Sequence, residues 1–286
     1  MSPILLAAVA SACFALTYIF PRLAVQTVSS LLGGFISSLV VFALYLPWIL
    51  WTFPGAAFLN PQLLWFIGIG VLIPGVSRSL QFEGVKRIGA APSGLLRGLG
   101  PLFSTALAVL LLGERPSAQV LAGTFSIVAG IVVLSARRGE MRSWELSGIL
   151  YGLAATLIWV SRDIVIRYTA PQVAHPALAI FVMAATSTLV MGAACLVWDR
   201  GAAQRASWEG LGYFGLTGLA GFGALTSLFF ALRAGEVVVV TPIVSAQPFF
   251  VLLFSLLLPK GMEMVTAFMA LGCLLIVVGG VLIGTG

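Results

Sequence analysis

Apolar runs of about 20 residues follow one another along almost the whole chain, and nothing else in the sequence restricts its folding as much. A bilayer's hydrocarbon layer is about 30 Å thick and takes roughly 20 helical residues to cross. A water-soluble core could not enclose the apolar surface of a chain in which 60% of 286 residues are hydrophobic and 8% are charged. No period-two alternation marks the strands of a membrane barrel. The expectation is therefore an all-α integral membrane protein with ten transmembrane helices.

The spans are expected at about 3–21, 31–52, 62–82, 90–112, 117–136, 146–166, 176–198, 209–232, 237–258 and 263–284. Short connections carry the turn formers Pro54-Gly55, Asn60-Pro61, Gly113 with Pro116, Pro171, and Pro259-Lys260-Gly261. The longest polar interruption, Ala136 to Trp144, lies halfway along and reads as the joint between two units, 1–139 and 140–286.

These halves repeat. Aligning Pro101 with Pro248 also aligns Phe82 with Phe229 and Lys86 with Arg233. Two extra residues after Leu258 then bring Glu114 onto Glu263, Gly123 onto Gly272 and Gly130 onto Gly279, and an earlier match sets Trp159 over Phe14 and Arg167 over Arg22. Each half holds five spans. Because five is odd, the second half must enter the membrane with the opposite orientation, giving two inverted five-helix repeats.

The formal charge of +6 does not point to nucleic acid, because the basic residues sit singly or in pairs at the ends of apolar runs, as topology-setting charges do. Loops after odd-numbered spans hold Arg22, Lys86, Arg87, Arg137, Arg138, Arg142, Arg200, Arg205 and Lys260, against Arg115, Arg167 and Arg233 after even-numbered ones. This places the odd loops in the cytoplasm and both termini outside. Cys13, Cys195 and Cys273 fall inside spans without metal-ligand spacing and read as packing residues; no cofactor or metal is expected. The first span lacks a basic leader region and reads as a retained helix.

A charge near the bilayer centre costs at least about 2.5 kcal/mol and needs a reason. Arg97 lies deep in its span, on the same helical face as Pro101 and just before Gly98 and Gly100. It is either an anion site, where a guanidinium holds a carboxylate or phosphate bidentately, or half of an internal ion pair. Arg78, in a polar patch after Pro74, is either a site residue or a side chain that snorkels to the interface. Arg162 and Asp163 share a helix face with Trp159, the one tryptophan well inside a span. They read either as a charge pair beside an aromatic wall or as a structural pair. Asp163 is the carboxylate through which proton coupling would run.

In the second half Val244 stands where Arg97 does, and polar residues follow instead: Thr241, Ser245 and Gln247 with Pro242 and Pro248. They are either substrate contacts or hydrogen-bonding glue between helices. Helix breaks are expected at Pro74, Gly98, Gly100, Pro101, Pro242 and Pro248. Glycines 123, 130, 272, 279, 280 and 284 read as packing notches, with Gly280 and Gly284 spaced for dimerisation. His175 has no expected role.

Pro101 to Leu134, with Pro-Leu-Phe, Leu112-Gly113-Glu114-Arg115, Gly123 and Gly130, resembles the repeat signature of the drug/metabolite transporter (DMT) superfamily, specifically its ten-span EamA-type members. Pro248 to Leu282 is a weaker second copy, and Trp159 followed by Arg167 resembles the start of a family repeat. The chain departs from the pattern at Met262-Glu263 and at Phe14, where the family has tryptophan. The resemblance implies a secondary transporter of small metabolites in a bacterial inner membrane, with its site between the halves and alternating access by their rocking. It also implies cytoplasmic termini, against the charge count.

Joined to the arginines, it leads to an expected exporter of an amino acid or organic anion, acting as a monomer or homodimer. Efflux of lipophilic cations is the alternative. A membrane enzyme is disfavoured because one histidine and few intramembrane acids supply no catalytic set.

Overall fold

The structure, a computed structural model, describes residues 2–24, 28–53, 55–77, 80, 87, 96, 99–135, 145–173, 175–201, 204, 206–255 and 267–285. The expected joint at 136–144 and the unit boundary within it lie outside these residues. Among the described residues every regular element is helical.

The elements are α1 (Pro3–Ala24), α2 (Ser30–Thr52), a short 3₁₀ turn (Gly55–Leu59), α3 (Leu63–Val71) running on as a π-helical turn (Leu72–Ser77), α4 (Gly100–Leu107) with a π-helical end (Ala108–Leu112), and α5 (Ala118–Ser135). In the second half come α6 (Leu146–Thr169), α7 (Pro176–Trp198), α8 (Trp208–Ala234), α9 (Val237–Ser245), α10 (Gln247–Ser255) and α11 (Ala267–Thr285).

Five stretches are long and apolar enough to cross a bilayer: Pro3–Pro21, Leu31–Thr52, Leu146–Thr169, Pro176–Trp198 and Trp208–Ala234. The shorter apolar stretches Gly100–Leu112, Ala118–Val133, Val237–Val251 and Leu271–Thr285 fall where four further spans are expected. The chain is an integral, multi-pass membrane protein.

Proline explains two of the irregularities. Pro74 has no N–H to give to the Gly70 carbonyl, and the backbone widens into the π turn there. The freed Gly70 oxygen accepts the Ser187 hydroxyl of α7 at 3.1 Å, and α3 lies so close that a side chain on Gly70 would strike the Met183 carbonyl. Near the other end of the chain the helix breaks at Ala246, between α9 and α10, because Pro248 cannot donate to Val244. Pro101 starts α4, as expected of a break. Pro242 does not break its helix: it lies inside a continuous α9, where its missing N–H leaves the Val238 carbonyl without its usual helical donor.

Helix α1 packs along α8, α2 against α7 and α8, and α3 against α7, while α5 and α11 pair with each other. Helix α9 is the hub, touching α1, α4, α5, α6, α8 and α11. The α5–α11 pair crosses at glycines. A Cβ on Gly123 would lie 2.6 Å from the Gly279 carbonyl, one on Gly279 would lie 2.5 Å from the Gly123 carbonyl, and one on Gly130 would lie 2.6 Å from the Gly272 carbonyl. Gly280 faces open space and is no notch, and Gly284 only brushes Ile4.

Candidate functional site

Helix α6 is long enough, at 24 residues, to cross the bilayer, and about two turns before its end it carries a buried charge pair. Arg162 and Asp163 are 5% and 4% exposed. The guanidinium folds back along its own helix so that Nε and Nη2 both donate to Asp163 Oδ1, each at 2.8 Å. Placing both donors on one oxygen leaves the second terminal nitrogen and the second carboxyl oxygen outside the pair.

Two aromatic rings flank the guanidinium carbon. Trp159, three residues earlier on the same face, has its ring centre 5.1 Å away, and Phe14 of α1 has its own at 5.5 Å. These two residues are the repeat-matched pair, so each half contributes one ring to one arginine. Such contacts are worth about 0.5–2 kcal/mol each. A buried ion pair repays its desolvation only with good geometry and further bonds, so this pair is weak evidence for a purely structural purpose.

Buried hydroxyls lie on neighbouring helices, one of them beside Asp163. Thr241 of α9 is 3% exposed and close enough to Asp163 to act on its charge, yet its hydroxyl makes no hydrogen bond of normal geometry. The same holds for Ser11 of α1 and for Ser104 and Thr105 of α4, which are 0%, 0% and 7% exposed. Ser11 is one turn from Phe14, and Ser104 is one turn beyond Gly100, which lies against Thr156 of α6. A buried hydroxyl left without a partner costs about 1–3 kcal/mol. Ser245 and Gln247, on either side of the break, are half-buried.

A second charged junction sits at the end of the bundle. Gly113 adopts a left-handed conformation (φ 69°) that ends α4 and turns the chain. Glu114, 8% exposed, then projects into the N-terminus of α9. Its two oxygens accept the Val237 and Val238 N–H groups at 3.0 Å each. Arg167, near the end of α6, approaches the same carboxylate at 3.6 Å and donates to the Leu232 and Arg233 carbonyls at the end of α8. A carboxylate of the first half thus caps a helix of the second, where the helix dipole favours negative charge.

Sequence reasoning did not assign that role to Glu114, nor a site role to Ser11, Phe14, Ser104 or Thr105. One signal for the cap was available: the helix opening Glu236-Val237-Val238-Val239-Val240 has no side-chain cap of its own, so its N–H groups must be met from elsewhere. His175 is another helix cap, its Nδ1 accepting the Ala177 N–H at 3.2 Å among Trp48, Phe53 and Phe230. At the opposite end of α6, Arg87 pairs with Glu145 at 3.2 Å. Of the expected site residues, Trp159, Arg162, Asp163 and Thr241 come together. Arg78, Arg97 and Gly98 lie outside the described residues. No cluster of acids, histidines and cysteines able to hold a metal occurs among those described.

The two halves are matched separately by one family model, that of the EamA-like transporter family, over residues 1–136 and 146–285. Among solved structures, one crystal structure superposes with a TM-score of 0.81 at 20% sequence identity, over 98% of this chain and 95% of that one, and so shares its fold. No curated protein is significantly similar in sequence. With a family match over nearly its whole length, on an apolar helical bundle with a buried charge pair where its helices meet, the chain belongs to the EamA-like transporter family, membrane transporters of the drug/metabolite type.

Proposed function

We propose that the protein is a secondary transporter exporting a small carboxylate-bearing metabolite, an amino acid or organic anion, by alternating access of two inverted five-helix halves, 1–139 and 140–286. The observation that carries this reading is the Arg162–Asp163 pair, buried within a span and walled by Phe14 and Trp159 from different halves. A site contacted by both halves changes shape when they rock, and a membrane-depth charge pair is where a polar cargo can be met and a proton exchanged.

In this reading Arg97 holds the cargo's anionic group, Arg78 is a further candidate contact, Trp159 packs its side chain, and Arg162 with Asp163 binds or couples. Thr241, Ser245 and Gln247 complete the contacts from the second half. The irregularities at Pro74, Gly100, Pro101 and Pro248, with the break expected at Gly98, let the helices move, and the Glu114–α9 junction ties the halves on one face. The protein works in a bacterial inner membrane without a cofactor, as a monomer or homodimer. Export of lipophilic cations is less well supported, because such a site favours a buried acid without an adjacent arginine.

The test is flux into liposomes of labelled amino acids, organic acids and cationic dyes through wild type, Arg97→Leu and Arg162→Met. Carboxylate-bearing compounds should move, with both variants slowed about tenfold or more. If only cationic dyes move, and both variants move them as fast as wild type, the reading is wrong.

A further inference from the structure

The two helices that meet at the charge pair meet again one turn further on, at Glu114. On α6, Arg167 follows Asp163 by four residues, and on α9, Val237 precedes Thr241 by four. Each helix therefore carries the junction about 6 Å nearer the bundle end than its residue beside the pair. Glu114 bridges them there, taking both α9 N–H groups at 3.0 Å and facing Arg167 at 3.6 Å. The junction thus lies between the charge pair and the water at that end. Its bonds are of a kind that can be broken and remade. The first turn of α9 has no side-chain cap of its own, and Pro242 cannot donate to the Val238 carbonyl, so that turn is held from outside its helix. The Arg167 side chain is 31% exposed, and once the junction parts, water can rehydrate both charges. At the opposite end of α6 the tie to the first half is looser: Arg87 and Glu145 are 36% and 51% exposed. The bundle is clasped more tightly at the Glu114 end.

We propose that Glu114, Arg167 and the first turn of α9 form a latch that shuts this end of the bundle, and that it opens whenever the charge pair is exposed to the water on that side. This rests on the transport reading above and assigns the contacts that hold one side closed.

The test needs no cargo. It uses the full-length protein with Cys13, Cys195 and Cys273 replaced by alanine, inserted in one orientation in liposomes. In that background Thr241→Cys reports access to the charge pair through its rate of reaction with a charged, membrane-impermeant maleimide applied from either side. Glu114→Ala should raise the rate from the Glu114 end about tenfold or more and lower it from the other end. Glu114→Gln and Arg167→Gln should do the same less strongly, and they carry the test if the alanine variant does not fold. Arg87→Gln, at the looser end, should not raise the rate from the Glu114 end. Labelling raised equally from both ends would make the junction a plain structural cap and overturn the latch. An unchanged rate from the Glu114 end would also overturn it; a latch-intact protein labelled from both ends would then leave the transport reading standing. Labelling from neither end, in that protein and in every variant, would remove both.

Discussion

The α5–α11 crossing and the Arg162 site use the internal repeat in opposite ways. At the crossing, Gly123 meets Gly279 and Gly130 meets Gly272, while the sequence repeat matches Gly123 with Gly272 and Gly130 with Gly279. Each residue therefore touches the counterpart of its neighbour, as two copies do around a two-fold axis. At the charge pair only the rings follow the repeat: Phe14 and Trp159 are matched, but Thr17 and Tyr18 stand where the second half has Arg162 and Asp163. Even the hydroxyls diverge, since Ser11 matches Thr156, and Thr156 bonds to the Gly152 carbonyl while Ser11 makes no hydrogen bond. Duplication supplies the scaffold, and chemistry enters where one copy departs from the other.

The largest expected effect comes from breaking the asymmetric region. Asp163→Ala strands the Arg162 charge in the interior and should cost about 3–5 kcal/mol. The double variant Arg162→Met/Asp163→Leu should recover most of that stability while transport stays lost, as read by thermal unfolding in detergent beside liposome flux. Equal stability in the single and double variants would mean the pair is not buried as a unit.

Next in size is the symmetric region. Gly123→Ala and Gly279→Ala each drive a methyl into the other's carbonyl and should destabilise by about 1–3 kcal/mol, alike for the two sites. Gly280→Ala, facing open space, should be neutral or stabilise by up to about 1 kcal/mol. A large difference between the first two would show that the crossing is not two-fold in energy.

Glu114→Ala tests the tie between halves. Loss of a charged cap on two N–H groups should cost about 1.5–3 kcal/mol, with Glu114→Gln intermediate because it keeps one acceptor. The smallest effect belongs to His175. Burial, helped by the Arg233 charge, holds its imidazole below the usual range, and the neutral ring is what caps α7. The folded form takes up a proton less readily than the unfolded one. Stability is then full at neutral and higher pH and falls as pH drops below about 6.5. In His175→Asn, which can still cap but does not titrate, that part of the pH slope should vanish.

Helical spans, the joint-flanking repeat and the breaks at Pro101 and Pro248 could be read from the chain because periodicity and a missing N–H act locally. Pro242 misled for a physical reason: an orphaned carbonyl can be tolerated inside a packed helix, and α9 is buried on all sides. Arg162 and Asp163 were legible as a charge pair beside Trp159, though not that Phe14 of the other half would add a second ring. The orphan hydroxyls were invisible, since a serine or threonine in an apolar run usually bonds to its own helix, and only three-dimensional packing distinguishes the four that do not. Glu114 looked like part of a turn because its partners are 123 and 124 residues away.

That separation matters during synthesis. A ribosome adds roughly 5–20 residues per second, so Glu114 is made some 6–25 s before the N–H groups it will cap. For that interval the growing protein holds a carboxylate with no α9 to receive it. The first half is then an unfinished product until Val237 and Val238 have been made, and a chain that stops before them leaves the Glu114 carboxylate without the two N–H groups it caps.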